Sequence, residues 1–385
     1  MSPTPVTMTS PVRPASYSWE ATSEQVAARY GIPVERIVRF DLNTSPEAPE
    51  LAGRVLAAGR FESSLSEYPP SDYHRLVDAA ARRYGVAREE ILVGAGADEV
   101  LDLLGKAFLP AGGAAVVPSP TYAMYRVLTE QRAASVLSVA RRGAADGFAL
   151  DVPAVREAAR HASLVWLCSP NNPTGLPDPP GAIENLLAGI TEDAAADGRP
   201  MPAVALDEAY AEFTDTTLLP LRVRFPRLVI VRTASKAYGL AGLRVGFAIA
   251  DPTTIDEIAT YRPPGSVSTV SVTVVATAFE TDGWLEGRVA AIHAERERLA
   301  AGLRAAGWEP GPSVTNFLLV PLGSPERAAA IAEALLRQGL VPRTFGAGHP
   351  LSDHLRITVR SVEEDDRLIA AAREIGAGIG TEIRA

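Results

Sequence analysis

The stretch Leu164-Val165-Trp166-Leu167-Cys168-Ser169-Pro170-Asn171-Asn172-Pro173-Thr174-Gly175 reads as a buried strand that stops in a polar turn. Its leading residues are apolar at every position, as in a parallel strand covered by helices on both faces. Two other runs repeat the pattern: Ala203–Leu206 ends in Asp207-Glu208-Ala209-Tyr210, and Leu228–Arg232 ends in Thr233-Ala234-Ser235-Lys236. Ala114–Pro118 and Gly246–Ile249 are apolar runs of the same kind. Helical stretches separate these runs, so the expected core is α/β, a large doubly wound, mostly parallel sheet. In such a sheet ligands bind beyond the carboxyl ends of the strands. The amide of Asn172, the carboxylate of Asp207, the phenol of Tyr210, the hydroxyls of Thr233 and Ser235 and the amine of Lys236 would then share one crevice.

Further out, Tyr261-Arg262-Pro263-Pro264-Gly265 breaks the rhythm. A long helical stretch, Trp284–Ala306, is followed by strand-like Asn316–Pro321, helical Glu326–Gln338 and strand-like Leu355–Val359, the pattern of a smaller α+β domain. On the other side, residues 1–15 are rich in Pro, Ser and Thr and read as an arm. Ser23–Tyr30 reads as a short helix with Ser23 as its N-cap, and Asn43-Thr44-Ser45-Pro46 as a turn. The expected organisation is an N-terminal arm and segment packing on the small domain (1–45), a large domain carrying the crevice (46–262) and a small C-terminal domain (263–385).

Composition narrows the function. The chain has 385 residues, 47% of them hydrophobic, and a formal net charge of −9. Such a chain buries sizeable cores, and its acidic balance argues against nucleic acid as a partner. The single cysteine, Cys168, excludes an internal disulfide framework and a cysteine-based zinc site. The five histidines lack ligand spacing, so no metal is expected. No run reaches the ~18 apolar residues of a membrane span, and residues 1–15 lack the apolar segment of a signal peptide; the expectation is a soluble, cytoplasmic protein. Among 37 basic residues only Lys106 and Lys236 are lysines. Compositional bias explains the scarcity, yet arginine cannot give up a proton near neutral pH, so a surviving lysine is a candidate for chemistry. Lys106 follows Gly105 without the glycine spacing or the Ser/Thr of a P-loop. Gly94-Ala95-Gly96-Ala97-Asp98-Glu99 lacks the third glycine of a dinucleotide fingerprint, but glycines opening a helix make an anion cradle.

From about residue 30 to 370 these blocks, in this order, resemble the fold-type I aminotransferases of class I/II, which depend on pyridoxal 5'-phosphate (PLP). The matching blocks are Gly96-Ala97-Asp98-Glu99, Pro120-Thr121-Tyr122, Ser169–Gly175, Asp207–Tyr210, Ser235–Gly246 and Leu355–Thr358. Within that class they look most like the histidinol-phosphate aminotransferases of histidine biosynthesis. The resemblance implies that residues 46–262 are a PLP-binding domain. Lys236 would condense with the cofactor aldehyde and later move a proton as general acid/base. Asp207 would keep the pyridine nitrogen protonated, while Asn172 and Tyr210 would hydrogen-bond the ring oxygen. The cofactor phosphate would rest on Gly96, Ala97 and Asp98, with Thr233, Ser235 and Arg244 as further donors, and Tyr122 would cover the ring.

By the same resemblance Tyr68 would reach the phosphate of a neighbouring subunit, implying a homodimer with shared active sites. Arg356 would anchor the acidic group of the substrate and Arg343 its phosphate, with Asn43 and Tyr17 touching substrate. The implied reaction is L-histidinol phosphate plus 2-oxoglutarate to imidazole acetol phosphate plus L-glutamate. Alternatives on the same scaffold are an aminotransferase for an aromatic or other 2-oxo acid, or a threonine-phosphate-type PLP decarboxylase. A transcription regulator with a PLP-binding domain would need a basic DNA-binding segment, and residues before the core are too few and not basic. Two departures touch the entrance. The family often shows Asn-Glu-Asn-Pro where this chain has Asn43-Thr44-Ser45-Pro46, and an asparagine where it has Ser266-Val267-Ser268.

Overall fold

The computed structural model describes residues 16–382, so the expected arm at 1–15 lies outside the described residues. Its strands are β1 (Val38–Arg39), β2 (Ile91–Gly94), β3 (Ala114–Ser119), β4 (Ser135–Ala140), β5 (Leu164–Cys168), β6 (Ala203–Asp207), β7 (Leu228–Thr233), β8 (Gly246–Ile249), β9 (Phe317–Pro321), β10 (Leu340–Val341) and β11 (His354–Thr358). Seven of them form one sheet in the order β2-β8-β7-β6-β5-β3-β4. Five consecutive strands, β7-β6-β5-β3-β4, pair in parallel, with Cys168 opposite Asp207 and Asp207 opposite Val231. The polar clusters that follow β5, β6 and β7 therefore emerge at one level on one edge of the sheet. Alternate residues serve opposite faces, as the period of a strand requires. Val204, Leu206 and Ile230 enter one core, and Ala203, Ala205, Val229 and Val231 the other.

The strands and the first helix depart from the sequence-based expectation in three ways. β8 runs antiparallel to both β2 and β7, so Gly246–Ile249 is not a parallel strand. Its apolar pattern is the same because burial on two faces, not direction, sets that pattern. β2 and β4 are further strands that the pattern did not single out. β4 is a partly exposed edge carrying Ser135 and Ser138, and β2 is only four residues long. The helix Ser23–Tyr30 is capped by Thr22 rather than Ser23: the Thr22 hydroxyl accepts from Gln25 N, and the Gln25 side chain accepts from Thr22 N.

A third core gathers Val38, Phe40, Leu303, Trp308, Leu318 and Ile357. β1 pairs in parallel with β10, and β9 antiparallel with β11. The N-terminal segment thus packs with the C-terminal region. The expected division at 262/263 does not match the packing, because the helix Thr269–Glu280 is buried in the large core through Val272, Val275 and Phe279. The crossing lies within the 22-residue helix Trp284–Ala305, which starts with Leu285 in the large core and ends with Leu299 and Leu303 in the small one. The Glu- and Arg-rich run 294–299 on that helix has the composition of a solvated face. Arg296 instead turns inward, is 8% exposed, and donates to Thr315 O at 3.0 Å.

Candidate active site

A cleft opens at the edge of the sheet where β5, β6 and β7 end. It is lined by Asn172, Asp207, Tyr210, Thr233, Ser235 and Lys236 from those ends. Asp207 is the last residue of β6, and its carboxylate is buried and tethered on both oxygens. Tyr125 OH donates to Oδ2 at 2.8 Å, and Ala209 N donates to Oδ1 at 3.0 Å. Burial nevertheless pushes its pKa up to about 6, and these two donors only partly offset the effect. Tyr125 is fixed in turn by stacking on Trp166, with ring centroids 5.4 Å apart, and the Trp166 indole N–H donates to Thr129 at 3.0 Å. Tyr125 lies three residues beyond Tyr122, and only the structure shows that its phenol supports the carboxylate.

The Lys236 amine is buried in the cleft, 3.4 Å from the carbonyl oxygen of Asn43 and 5.7 Å from the centre of the Tyr210 ring. Burial lowers its pKa to about 8, and the Arg356 guanidinium adds to the effect. Near neutral pH a useful share of this amine is therefore unprotonated and nucleophilic. Lys106 sits instead on the helix Gly96–Phe108 in a 2.6 Å ion pair with Asp102.

The helix Gly96–Phe108 begins at the cleft that holds Lys236, with Ala97 and Asp98 of its first turn lining it. Two glycines make this approach possible. Gly246 on β8 lies against the turn so closely that a Cβ there would be 2.4 Å from Gly96 C. Gly96 has φ +82°, and a Cβ on it would lie 2.4 Å from Arg244. The resulting pocket combines a helix N-terminus with the Thr233 and Ser235 hydroxyls, 2.9 Å apart, and with Arg244. The Asp98 carboxylate accepts from Tyr122 OH and from Arg244, each at 3.0 Å.

Asn43 joins the two halves of the cleft. It holds φ 53°, a left-handed conformation uncommon for a non-glycine residue, and every polar group it has is used. Its side-chain N–H donates to Tyr210 OH at 2.9 Å, and Thr358 OH donates to its Oδ1 at 3.1 Å. Its own N–H donates to Thr358 Oγ1 at 2.9 Å, while its carbonyl accepts from Lys236 and from Asn316. Thr358 and Asn316 were not among the site residues expected from sequence; a hydroxyl at the end of β11 and an amide just before β9 carry no signal of their own.

Arg356 on β11 is 6% exposed. Its Nη1 donates to Asn172 Oδ1 at 2.6 Å and its Nη2 donates to Asp41 O, while its buried Nε lacks an acceptor among the described residues. Arg343 lies beside it across a backbone bridge and also lines the cleft. Its guanidinium, however, is taken up by the N-terminal segment: Nη1 donates to Ser18 O at 2.8 Å, and the group lies 5.3 Å from the Tyr17 ring centre. Tyr17 and Trp19 complete the roof, with Tyr17 6.2 Å from Tyr122 between ring centres. Tyr68 does not reach the cleft of its own chain; it is 89% exposed. Among the described residues no cluster of His, Cys, Asp or Glu is suited to a metal ion, and no helix is long and apolar enough to cross a membrane.

A buried lysine amine, a buried carboxylate and a helix N-terminus thus meet at the strand ends of a mixed α/β sheet. The chain belongs to the aminotransferase class I and II family, whose model matches residues 44–372. A histidinol-phosphate aminotransferase of Roseiflexus castenholzii is 38% identical over 362 residues, covering 91% of this chain and 93% of that one. Another, from Symbiobacterium thermophilum, is 34% identical and covers 88% of this chain and 90% of that one. Among solved structures, the histidinol-phosphate aminotransferase of Sinorhizobium meliloti in complex with pyridoxal-5'-phosphate superposes with a TM-score of 0.82 at 26% identity, covering 94% and 96% of the two chains. The L-threonine-O-3-phosphate decarboxylase of Porphyromonas gingivalis shares the fold, with a TM-score of 0.72 at 22% identity over 88% and 99%.

This PLP-dependent class uses a cofactor whose parts the cleft fits. A nucleophilic amine faces a site for an aldehyde, a tethered carboxylate faces one for a pyridinium, and the Gly96–Asp98 cradle faces one for a phosphate.

Proposed function

We propose that this protein is a histidinol-phosphate aminotransferase, moving the amino group of L-histidinol phosphate to 2-oxoglutarate through PLP held by Lys236. The observation that carries the reading is the convergence of Asn172, Asp207 and Lys236 on the adjacent ends of β5, β6 and β7. The curated relatives, 34–38% identical over about nine-tenths of the chain, support the substrate.

When bound, PLP supplies an electron sink for the bonds at the substrate Cα. The protein does the rest. Asp207 orients the pyridine ring and favours its protonated form. Asn172, whose Oδ1 is occupied by Arg356, keeps its amide N–H group to donate, and Tyr210 OH adds a second donor. The helix start at Ala97–Asp98, with Thr233, Ser235 and Arg244, holds the phosphate. Lys236 takes a proton from the substrate Cα and returns it on the cofactor side, a task suited to an amine poised near pH 8. Arg356 Nε, buried without an acceptor among the described residues, is the donor proposed for an acidic group of the substrate. Arg343, half in the roof, would take the phosphate of the larger substrate. Exposed Tyr68 would complete the cradle of a second copy, giving a homodimer with shared sites, and the enzyme would work in the cytoplasm. The three-part division is kept, with its second boundary moved into the helix Trp284–Ala305.

The test is a half-reaction screen. Purified holoenzyme is mixed with one amino donor at a time while the visible absorption of the cofactor is followed. Rapid conversion with L-histidinol phosphate and L-glutamate, and slow conversion with aromatic amino acids, is expected. Fast conversion with aromatic donors alone, or release of carbon dioxide from an amino-acid phosphate, would overturn the assignment.

A further inference from the structure

Arg288 lies outside the cleft, on the helix that links the two cores, and it bridges two segments that build the active site. Its Nη2 donates to Ser45 Oγ at 2.9 Å, and its Nε donates to Ala237 O, next to the reactive lysine, at 3.4 Å. The guanidinium sits against the backbone of Gly239. A Cβ at that residue, which has φ +67°, would lie 2.4 Å from Arg288 Nη2 and 2.8 Å from Ser45 Oγ. No carboxylate pairs with Arg288 among the described residues, and burial holds its pKa below the usual arginine range. A half-buried cation with neutral partners is a costly way to stabilise a helix surface. What it does achieve is geometric.

On the other side of the same turn, Arg360 Nη1 donates to Thr44 O at 3.4 Å and to Ser45 O at 3.3 Å. The turn is therefore gripped by one arginine on the linking helix and another just beyond β11. Held this way, Asn43 keeps its left-handed φ and presents its carbonyl to the Lys236 amine.

We propose that Arg288 is a positioning residue for the Lys236 amine, acting through Ser45 and the turn that carries Asn43. The inference rests on Lys236 being the reactive amine. In the resting chain Asn43 O accepts from the charged form of that amine and so favours it. Loosening the turn removes the acceptor, leaving burial and Arg356 to depress the amine further. Once the substrate has taken its place on the cofactor, the same acceptor holds the freed amine in line for proton transfer.

The test compares full-length Arg288→Met, Ser45→Ala and the double variant. Each cofactor-free chain is acylated with an amine reagent across pH, and the two lysine peptides are quantified separately. Lys106 then serves as an internal control for folding and reagent. The expected result is that the apparent pKa of Lys236 falls from about 8 by about half a unit in either single variant. The double variant shifts it no further, as for partners in one path. In the holoenzyme, kcat falls about tenfold while KM stays within about twofold, since the amine and not the substrate is displaced. An unchanged Lys236 titration in Ser45→Ala, which removes a single hydroxyl, would overturn the proposal even if Arg288→Met failed to fold. Additive shifts in the double variant would overturn it as well. If the wild-type holoenzyme carried its cofactor elsewhere than on Lys236, the functional reading itself would fail, and that is seen by mapping before any variant is made.

Discussion

The floor and the roof of the cleft are built on different terms. The floor comes from the ends of β5, β6 and β7, parallel strands buried on both faces, so Asn172, Asp207 and Lys236 are placed by the same ladder that holds the core together. The roof comes from distant pieces. Arg343 reaches back to Ser18, Thr344 to Glu20, and Asn43 to Thr358, each over more than 300 positions in the chain. The floor holds charge against burial: an amine at about 8 and a carboxylate at about 6. The roof holds aromatic rings and arginines that meet the N-terminal segment through a few exchangeable contacts. On the proposed function, conversion chemistry would belong to the rigid part and choice of substrate to the part that can be rebuilt.

The largest effect expected from this contrast is at the floor. Lys236→Arg keeps a positive charge but cannot form the covalent bond or release a proton, so transamination should fall by about 10⁴-fold or more. Reductive trapping of the cofactor should then label no lysine; trapping on Lys106 would break the assignment. Asp207→Asn should lower kcat by about 10²-fold while making the cofactor-free chain more stable. The sign follows from burial. The folded carboxyl holds its proton up to about pH 6 whereas an unfolded one loses it near 3.8, so above pH 6 the charged group costs the fold about 3 kcal/mol. The gain in Tm of Asp207→Asn should therefore be full near pH 7 and fade as pH falls from 6 towards 4. Arg356→Lys joins floor to roof. A lysine cannot bridge Asn172 and Asp41 and also offer the inward Nε–H, so KM for the amino donor should rise by about 10- to 100-fold with a smaller change in kcat. A rise confined to kcat would move Arg356 from binding substrate to orienting Asn172.

The contrast also explains what could be read from the residues. Strand-end clusters are local: an apolar run followed by Asn171-Asn172, Asp207 or Lys236 declares both the strand and the polar group that it delivers. The direction of β8 was not readable, because two-faced burial looks the same in parallel and antiparallel strands. Nor was the extent of the large core. The helix Thr269–Glu280 lies past the Pro263-Pro264 break, and its packing against the helices Glu50–Ala58 and His74–Tyr84 assigns it. Tyr125, Thr358, Asn316 and Arg288 act through partners 82 to 315 positions away, or 51 to 243 for Arg288, and a single sequence gives no pairing at such range.

The smallest effect falls on the roof, and it tests whether that region takes part in recognition. Glu20 Oε1 accepts from Thr344 N and from Thr344 OH, each at 2.8 Å, and lies 3.7 Å from Arg343 Nη1. The carboxylate thus anchors the N-terminal segment and also offers Arg343 an internal anion. Glu20→Gln keeps an amide oxygen for Thr344 and removes only the charge. A partly exposed ion pair at this distance is worth at most about 1 kcal/mol, so its loss should change affinity by no more than about fivefold. If Arg343 receives a phosphate from the substrate, freeing it from Glu20 should lower KM for a phosphate-bearing donor by about two- to threefold. KM for L-glutamate and kcat should stay unchanged. A fall in KM for both donors would mean that the segment merely opens more easily. A rise for the phosphate-bearing donor would mean that Glu20 holds Arg343 in its binding position rather than competing for it, and the roof would then be as fixed as the floor.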